Sequence, residues 1–267
     1  MEIVGYIASI FMGLSLGMIG GGGSILTVPI LVYMFGINPI TATAYSLFIV
    51  GLTALVGGVT YLKKGEVDLK TGFIFAVPSF IGVYLTRAYV VPNLPDPVFQ
   101  LGQFSFSKPL LIMLVFALLM VAASVSMIKG KKEQTQKASL SPTAKIVLIS
   151  LEGLVVGGVT GFVGAGGGFL IIPALVILVG MPMKIAVGTS LFIIATKSLI
   201  GFTGDLQQHA SIDWKLLITV SLIAIVGLFV GMVLSKKVSE TALKKGFGYF
   251  VLVMGSIILI DQISKLK

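Results

Sequence analysis

Two stretches of the chain share one pattern: residues 13–31 read GLSLGMIGGGGSILTVPIL, and residues 157–175 read GGVTGFVGAGGGFLIIPAL. In each stretch, a glycine run precedes a short apolar segment that contains a proline. Self-similarity at one offset indicates an internal duplication. The matching positions are Gly13, Gly17, Gly20, Gly22, Gly23, Leu26, Pro29 and Leu31 in the first stretch, and Gly157, Gly161, Gly164, Gly166, Gly167, Leu170, Pro173 and Leu175 in the second.

The register of the duplication continues beyond these stretches. At the same offset Ser46-Leu47-Phe48 matches Ser190-Leu191-Phe192, and after a slip of one residue Asp68 matches Asp213. Further matches are Ala42 with Ala186, Gly57 with Gly201 and Gly82 with Gly227. The sequence therefore predicts a first transmembrane repeat (1–128), a polar cytoplasmic linker (129–143) and a second transmembrane repeat (144–267).

Composition indicates that both repeats lie in a membrane. Of the 267 residues, 56% are apolar and only 11% are charged, whereas about a quarter of the residues of a soluble domain are charged. A membrane-spanning helix needs about 20 mainly apolar residues. The apolar segments cover residues 3–19, 25–36, 39–61, 71–90, 108–128, 144–163, 169–180, 182–204, 213–235 and 242–262. We therefore predict an all-α polytopic membrane protein.

Two of these segments, 25–36 and 169–180, are too short to cross a bilayer. A helix of about 12 residues is roughly 18 Å long, whereas the hydrocarbon core is about 30 Å thick. We interpret both as half-helices that follow a glycine-rich break. Each repeat then holds about five helical elements, and this odd number predicts that the second repeat is inverted relative to the first.

The lysines support this count of five elements. It places the lysine-rich loops and the linker on one face of the membrane, which the positive-inside rule makes cytoplasmic. Both chain termini are then extracytoplasmic. The lysines concerned are those of the linker together with Lys63, Lys64, Lys70, Lys236, Lys237, Lys244 and Lys245.

The net charge of +9 is explained by these loops, since lysines beside anionic lipid are typical of membrane proteins. We therefore expect no nucleic-acid partner. The absence of cysteine excludes a disulfide framework and a thiolate metal site. No cofactor and no metal are predicted.

The two glycine runs are the predicted substrate site. Backbone that leaves helical geometry inside a membrane must be buried in protein or line a wet cavity. The start of the following helix carries unpaired N–H donors and about half a positive charge, which suits an anion. Inverted repeats bring two such starts together near the membrane centre. The predicted substrate-binding residues are Gly20, Gly21, Gly22, Gly23 and Ser24 in the first run and Gly164, Ala165, Gly166, Gly167 and Gly168 in the second.

The alternative for these glycines is close helix packing, which is the role expected of Gly13, Gly17, Gly153 and Gly157. The occurrence of two runs at matching positions, each followed by a short helix and a proline, favours a site over packing alone.

The helix after each run adds polar side chains to this predicted site. Ser46 shares one helical stripe with Thr43, Thr53 and Gly57, and Ser190 shares the equivalent stripe with Lys197 and Gly201. A lysine in the middle of a span costs about 2.5–3.5 kcal/mol on insertion scales. Lys197 is therefore expected to attract an anionic substrate, or alternatively to form a structural ion pair with Glu152. Glu152 is also a candidate for carrying a coupling proton.

Other polar residues have simpler predicted roles. Asp68 and Asp213 are expected to cap helix starts, and Arg87 to anchor a helix end at the membrane interface. Asp205 and His209 lie where a helix meets a loop. Residues 91–107 have no counterpart in the second repeat and are expected to form an outer connection, with a partial lid as the alternative.

The paired glycine run, the short helix with its proline and the Ser-Leu-Phe stretch resemble the TauE/SafE (TSUP) family of sulfite and organosulfur-anion exporters. Gly20 to Pro29, Gly164 to Pro173, and Ala186-Val187-Gly188-Thr189-Ser190-Leu191 carry the resemblance. It implies a permease in a bacterial or archaeal inner membrane that moves sulfite, thiosulfate or sulfonates such as sulfoacetate. Lys197 differs from the small polar residue that the family pattern suggests.

We therefore predict a secondary transporter that binds a small anion at the membrane centre and works by alternating access, one repeat rocking against the other. An ion channel is the main alternative. A membrane-embedded enzyme is less favoured, because the chain has one histidine, no cysteine and none of the common hydrolase motifs. An assembly factor would not need paired breaks at mid-membrane. A homodimer and proton coupling are left open.

Overall fold

The structure is a computed structural model that describes residues 2–101, 104–129, 142–177, 179–206, 212–235 and 239–264. His209 and most of the linker lie outside these ranges. The first repeat contains α1 (Glu2–Ile19), a 3₁₀ segment (Gly20–Leu26), α2 (Thr27–Pro29), a π-helical turn (Ile30–Met34), α3 (Pro39–Lys63), α4 (Leu69–Leu85), a second π-helical turn (Thr86–Val90), α5 (Val91–Asn93) and α6 (Lys108–Lys129). The second repeat contains α7 (Pro142–Val163), α8 (Gly168–Ile177), α9 (Met183–Leu206), α10 (Trp214–Leu234) and α11 (Glu240–Ser264).

The prediction of a helical polytopic membrane protein is confirmed. Eight helical stretches among the described residues are long and apolar enough to cross a membrane, and α8 is not one of them. Large apolar side chains cover the outer surface, for example Ile260 with 68% of its surface exposed and Val226 with 60%. Such an exterior suits lipid rather than water. The most buried spans are α3 and α9, which form the centre of the fold.

One short hairpin interrupts the helical fold within the region 91–107. Strands β1 (Phe99–Leu101) and β2 (Phe104–Phe106) pair antiparallel, with Phe99 opposite Phe106. The rings of these two phenylalanines stack at 4.6 Å. The strands follow α5 and precede α6, so the hairpin connects the last two helices of the first repeat.

Two predicted helix caps are confirmed. Asp68 Oδ1 accepts from the Thr71 N–H at 3.2 Å, and Asp213 Oδ1 accepts from the Leu216 N–H at 2.9 Å. Each carboxylate satisfies an N–H group that has no partner within its own helix. The caps fix where α4 and α10 begin.

Glycines bring α1 against α10 and α4 against α7. A Cβ atom added to Gly13 would collide with the Ala224 carbonyl, and one added to Gly17 would collide with the Leu228 carbonyl. Residue numbers rise together, so α1 and α10 run parallel. In the same way Gly153 meets the Phe75 carbonyl and Gly157 that of Ser79, and α7 runs parallel to α4. The packing role predicted for these four glycines is confirmed.

Helices at corresponding positions of the two repeats pack in opposite directions. Gly51 meets Leu199 while Gly57 meets Leu191, so α3 and α9 are antiparallel. Likewise Gly248 meets Met127 while Gly255 meets Met120, so α6 and α11 are antiparallel.

The most extensive helix pairings in the described part of the chain, α1 with α10, α4 with α7, α3 with α9 and α6 with α11, all join the first repeat to the second. Exchanging the repeats turns the pair α1–α10 into α7–α4 and leaves the other two pairs unchanged. The repeats are therefore interleaved, and neither forms a separate packed unit.

Candidate functional site

Both glycine runs break the helix that precedes them. Gly20 has φ 73° and Gly164 has φ 70°, a left-handed conformation that glycine adopts without steric cost. After this break the first run is not irregular, because it continues as a 3₁₀ segment from Gly20 to Leu26. The second run stays non-helical through Gly167 and leads directly into α8.

The two breaks touch each other inside the protein. A Cβ atom on Gly21 would lie 2.5 Å from the Cα atom of Gly168, and one on Gly166 would lie 2.8 Å from Ser24 Cβ. All residues of 20–24 and 164–168 are buried. Only glycine permits backbones to approach this closely. The ten residues predicted from the two runs therefore form one contiguous cluster.

This cluster lies halfway along the central helices. Gly166 contacts Val50 near the middle of α3, and Gly21 contacts Ile194 near the middle of α9. In the first repeat the chain then turns back, because a Cβ atom on Gly5 would lie 2.6 Å from the Phe35 ring. The half-helix of the first repeat thus re-enters beside α1 instead of crossing.

The serines of the predicted site differ in their hydrogen bonding. Ser24 Oγ donates to the Gly21 carbonyl and Ser190 Oγ to the Val187 carbonyl, both at 2.7 Å. Ser46 Oγ is buried and has no hydrogen-bond partner among the described residues. Because a buried hydroxyl without a partner is unfavourable, Ser46 is the serine most available to a ligand.

Lys197 is fully buried in α9, and its side chain reaches the second break. Its Nζ donates to Thr160 Oγ1 at 2.6 Å. A Cβ atom on Gly167 would lie 3.0 Å from the same nitrogen. The ammonium therefore sits beside the residue that precedes α8, where the helix start adds partial positive charge.

Glu152 is not the partner of Lys197 in the structure. Glu152 precedes Thr160 by eight residues on α7, which is about 12 Å along the helix axis. Its side chain is partly exposed beside Leu151 and Val155, which face outward. The alternative role of Lys197, an ion pair with Glu152, is therefore not found in the structure, and Lys197 contacts the Thr160 hydroxyl instead.

The prediction that Arg87 anchors a helix end at the membrane interface is also wrong. Arg87 is fully buried, and its Nη1 lies 3.5 Å from Asp205 Oδ1. Sequence reasoning missed this pair. A signal was present, because Ala88-Tyr89-Val90-Val91 continue the apolar segment beyond the arginine.

Comparison with known proteins agrees with this architecture. The family model for the sulfite exporter TauE/SafE matches residues 6–258. A probable membrane transporter protein of Xylella fastidiosa (strain 9a5c) is 30% identical over 247 residues, covering 91% of this chain and 89% of the relative. The probable membrane transporter protein YdhB of Bacillus subtilis (strain 168) is 25% identical over 252 residues, covering 93% and 96%.

A third relative, the probable membrane transporter protein YunE of the same Bacillus subtilis strain, is 29% identical over 218 residues, covering 73% of this chain and 76% of the relative. No solved structure matches the chain significantly. The family match spans the membrane helices, both glycine breaks and the central helices between them. The chain is therefore a multi-pass membrane transporter that belongs to the sulfite exporter TauE/SafE family.

Proposed function

We propose that the protein is a secondary transporter, and not an enzyme, for a small sulfur oxyanion or sulfonate such as sulfite, thiosulfate or sulfoacetate. The anion binds where the two glycine breaks meet. Ser46, Ser190 and Lys197 complete this central site. The family name supports sulfite among these candidates.

The observation that carries this proposal is the electrostatic environment of Lys197. Its ammonium is fully buried, contacts a hydroxyl and lies beside the start of α8. Among the described residues no carboxylate lies within ion-pair distance of it. A buried charge is strongly unfavourable unless it is paired. A bound anion supplies the missing negative charge.

The backbone of the breaks supports the same conclusion. The N–H groups of Leu170 and Ile171 both donate to the Gly167 carbonyl, which leaves those of Gly168 and Phe169 as the donors that the start of α8 offers to an anion. The glycines carry no side chains that would shield these donors. Charge-assisted hydrogen bonds from N–H groups and an ammonium suit a tetrahedral or pyramidal oxyanion.

The transport mechanism that we propose is alternating access between two inverted repeats. The antiparallel packing of α3 against α9 and of α6 against α11 supports inversion. Because the repeats are interleaved, the moving units are the pairs α1–α10 and α4–α7 relative to α3 and α9, in place of one whole repeat against the other.

For the membrane orientation we propose cytoplasmic lysine-rich loops and extracytoplasmic termini in the inner membrane. Lys63 and Lys129 lie at the C-terminal ends of α3 and α6, beside the loop 64–68 and the linker. These are the connections that the charge bias makes cytoplasmic.

The test is anion binding and flux with purified protein. Flux is measured with liposomes that are loaded with sulfite, thiosulfate, sulfoacetate or chloride. Binding of the same anions to the purified protein is compared between the wild type and Lys197→Ala. We expect sulfur-anion affinity to fall about ten- to hundredfold, since a hydrogen bond to a charged group contributes about 1.5–3 kcal/mol. Lys184→Ala is the matched control, because Lys184 is exposed. Equal affinity in wild type and Lys197→Ala would remove Lys197 from the site.

The same liposomes separate a carrier from a channel. A carrier saturates with anion concentration and is accelerated by anion on the opposite side, whereas a channel conducts in proportion to the gradient. Flux that rises linearly without saturation would reject alternating access while leaving the site in place.

A further inference from the structure

A buried ion pair joins the two repeats at a distance from the central site. Arg87 lies in the π-helical turn after α4, and Asp205 lies in the last turn of α9. Their side chains are 0% and 5% exposed, and Nη1 and Oδ1 are 3.5 Å apart. Removing one partner of a buried ion pair strongly destabilises a protein, because the other charge is left unpaired. The intact pair therefore favours contact between these helix ends.

The pair lies on the same face of α9 as Lys197. Asp205 follows Lys197 by eight residues, which is two turns and about 12 Å along the axis. Between them, Gly201 of α9 contacts Val83 of α4. The buried face of α9 therefore runs from the central site to the Arg87–Asp205 pair at its C-terminal end.

The duplication does not repeat this pair at the opposite end of the central helices. The duplication matches Asp205 with Tyr61 of α3, and Arg87 with Met232 of α10. These matching residues are an aromatic and an apolar side chain. The ion pair therefore distinguishes the C-terminal end of α9 from the end that the duplication relates to it.

The interfaces of α4 differ in how they are built. Against α7, glycines of both helices press directly onto partner backbone, as at Gly157 with Ser79 and Gly82 with Leu154. Against α9, the contacts are side chains resting on glycine, as at Val83 with Gly201 and at Arg87 with Gly204. Backbone contacts without intervening side chains hold α4 and α7 as one unit, so α4–α9 is the interface that can separate.

We propose that Arg87 and Asp205 form a gate at the C-terminal end of α9. The pair holds α4 against α9 while the central site is closed to that side, and it separates when the α4–α7 unit moves away from α9. The gate rests on the proposed central site and on alternating access. It assigns the two residues to the transport cycle, although Asp205 lies about 12 Å along α9 from Lys197.

Disulfide cross-linking tests which interface moves, and the chain has no native cysteine to interfere. A Cβ atom on Gly201 would lie 3.4 Å from Val83 Cβ, close to the roughly 3.8 Å of a disulfide. The variant Val83→Cys/Gly201→Cys therefore bridges α4 to α9 and keeps the ion pair. The control Thr86→Cys/Gly158→Cys bridges α7 to the π-helical turn that continues α4, since a Cβ atom on Gly158 would lie 3.7 Å from Thr86 Oγ1, where the cysteine sulfur would lie.

We expect oxidation of the α4–α9 bridge to lower sulfite flux about tenfold or more, with recovery after reduction, because a locked interface stops the cycle. Oxidation of the α4–α7 bridge should leave most of the flux. Full flux with the α4–α9 bridge closed would overturn the gate. Equal loss with both bridges would overturn the assignment of the moving interface.

A second measurement needs no substrate, so it separates failure of the gate from failure of the proposed function. Ser198 is fully buried one residue after Lys197, and Ser198→Cys places a thiol on α9 between Lys197 and Asp205. A membrane-impermeant thiol reagent is added on the side of the α9 C-terminus. Asp205→Asn should raise labelling of this thiol about tenfold by shifting the population towards the open state.

Ser221→Cys in α10 is the matched control, because Ser221 is also fully buried. Its labelling should not change with Asp205→Asn. Unchanged labelling at position 198 would contradict the gate. A rise at both positions would show general loosening of the fold and would also contradict it.

Discussion

Both glycine runs break a helix, but different side chains lie beside the two breaks. Lys197 and Thr160 stand beside the second break, whereas the matching residues of the first repeat are Thr53 and Leu16. Thr53 Oγ1 donates to the carbonyl of Ile49 in its own helix at 2.7 Å. The duplication supplies two helix starts and one cation. At the proposed site we therefore expect an anion to lie closer to the second repeat than to the first.

The breaks also differ in how tightly they pack. The second run has Gly168 where the first has Ser24. Gly168 faces the backbone of Gly21 directly, while Ser24 uses its hydroxyl to close the first run on itself. In the first repeat Ser24 stabilises the conformation of the break. In the second repeat Gly168 leaves the space in which the two breaks contact each other.

Replacing each of these two residues by its counterpart should produce the largest difference in stability between variants of the two repeats. Gly168→Ser places a Cβ atom against the Cα, C and O atoms of Gly21 and should destabilise the fold by about 3 kcal/mol or more. Ser24→Gly removes one hydrogen bond and should cost about 1–2 kcal/mol. Thermal unfolding of the purified proteins in detergent measures both. Similar stabilities would show that the breaks do not touch.

The difference in charge between Lys197 of the second repeat and Thr53 of the first should have the largest effect on substrate affinity. Lys197→Thr gives the second repeat the residue of the first and should weaken sulfite binding about ten- to hundredfold. Thr53→Ala should change the affinity by less than about threefold, because its hydroxyl is already satisfied within α3. Binding is measured by calorimetry on both variants. A larger loss in Thr53→Ala than in Lys197→Thr would reverse the assigned asymmetry.

The helix caps should show a smaller difference. Asp213→Ala removes one capping bond and should lower stability by about 1 kcal/mol. Asp68→Ala should cost slightly more, since Asp68 Oδ2 also accepts from Thr71 Oγ1 at 2.7 Å. Melting temperatures of the two variants decide the order. A clearly greater effect of Asp213→Ala would count against these capping geometries.

The smallest effect is expected at Glu152, whose counterpart in the first repeat is Ala8. Glu152→Ala should leave sulfite affinity within about twofold, because Glu152 lies about 12 Å along the α7 axis from Thr160, whose hydroxyl Lys197 contacts. Flux measured with and without a proton gradient examines its candidate coupling role separately. A tenfold affinity loss would require contact between Glu152 and the site.

Much of the fold could be predicted from the sequence because its pattern is local. Apolar segments of membrane length identify the helices, and the shared glycine register identifies the duplication. Asp68 and Asp213 precede their helices by one residue, so their capping role follows from position alone. The short segment at 169–180 likewise predicts a half-helix, and α8 occupies most of it.

The remaining features depend on which helix faces meet, and local pattern does not contain that information. Arg87 and Asp205 are 118 residues apart in the chain. Lys197 could lie level with either Glu152 or Thr160 of α7, and the axial position of α7 against α9 places the threonine beside it. The strands at 99–106 are three residues each, too short for an alternation of side chains to be recognised.

The interleaving of the repeats has a consequence for biosynthesis. The glycine face of α1 packs on α10, which leaves the ribosome roughly 200 residues later, and domains generally form in the order of synthesis. During that interval α1 stays in the bilayer without the helix that its glycines fit. Assembly of the native bundle is therefore a late event, and a chain cut within the linker should yield functional protein only when both fragments are made in the same membrane.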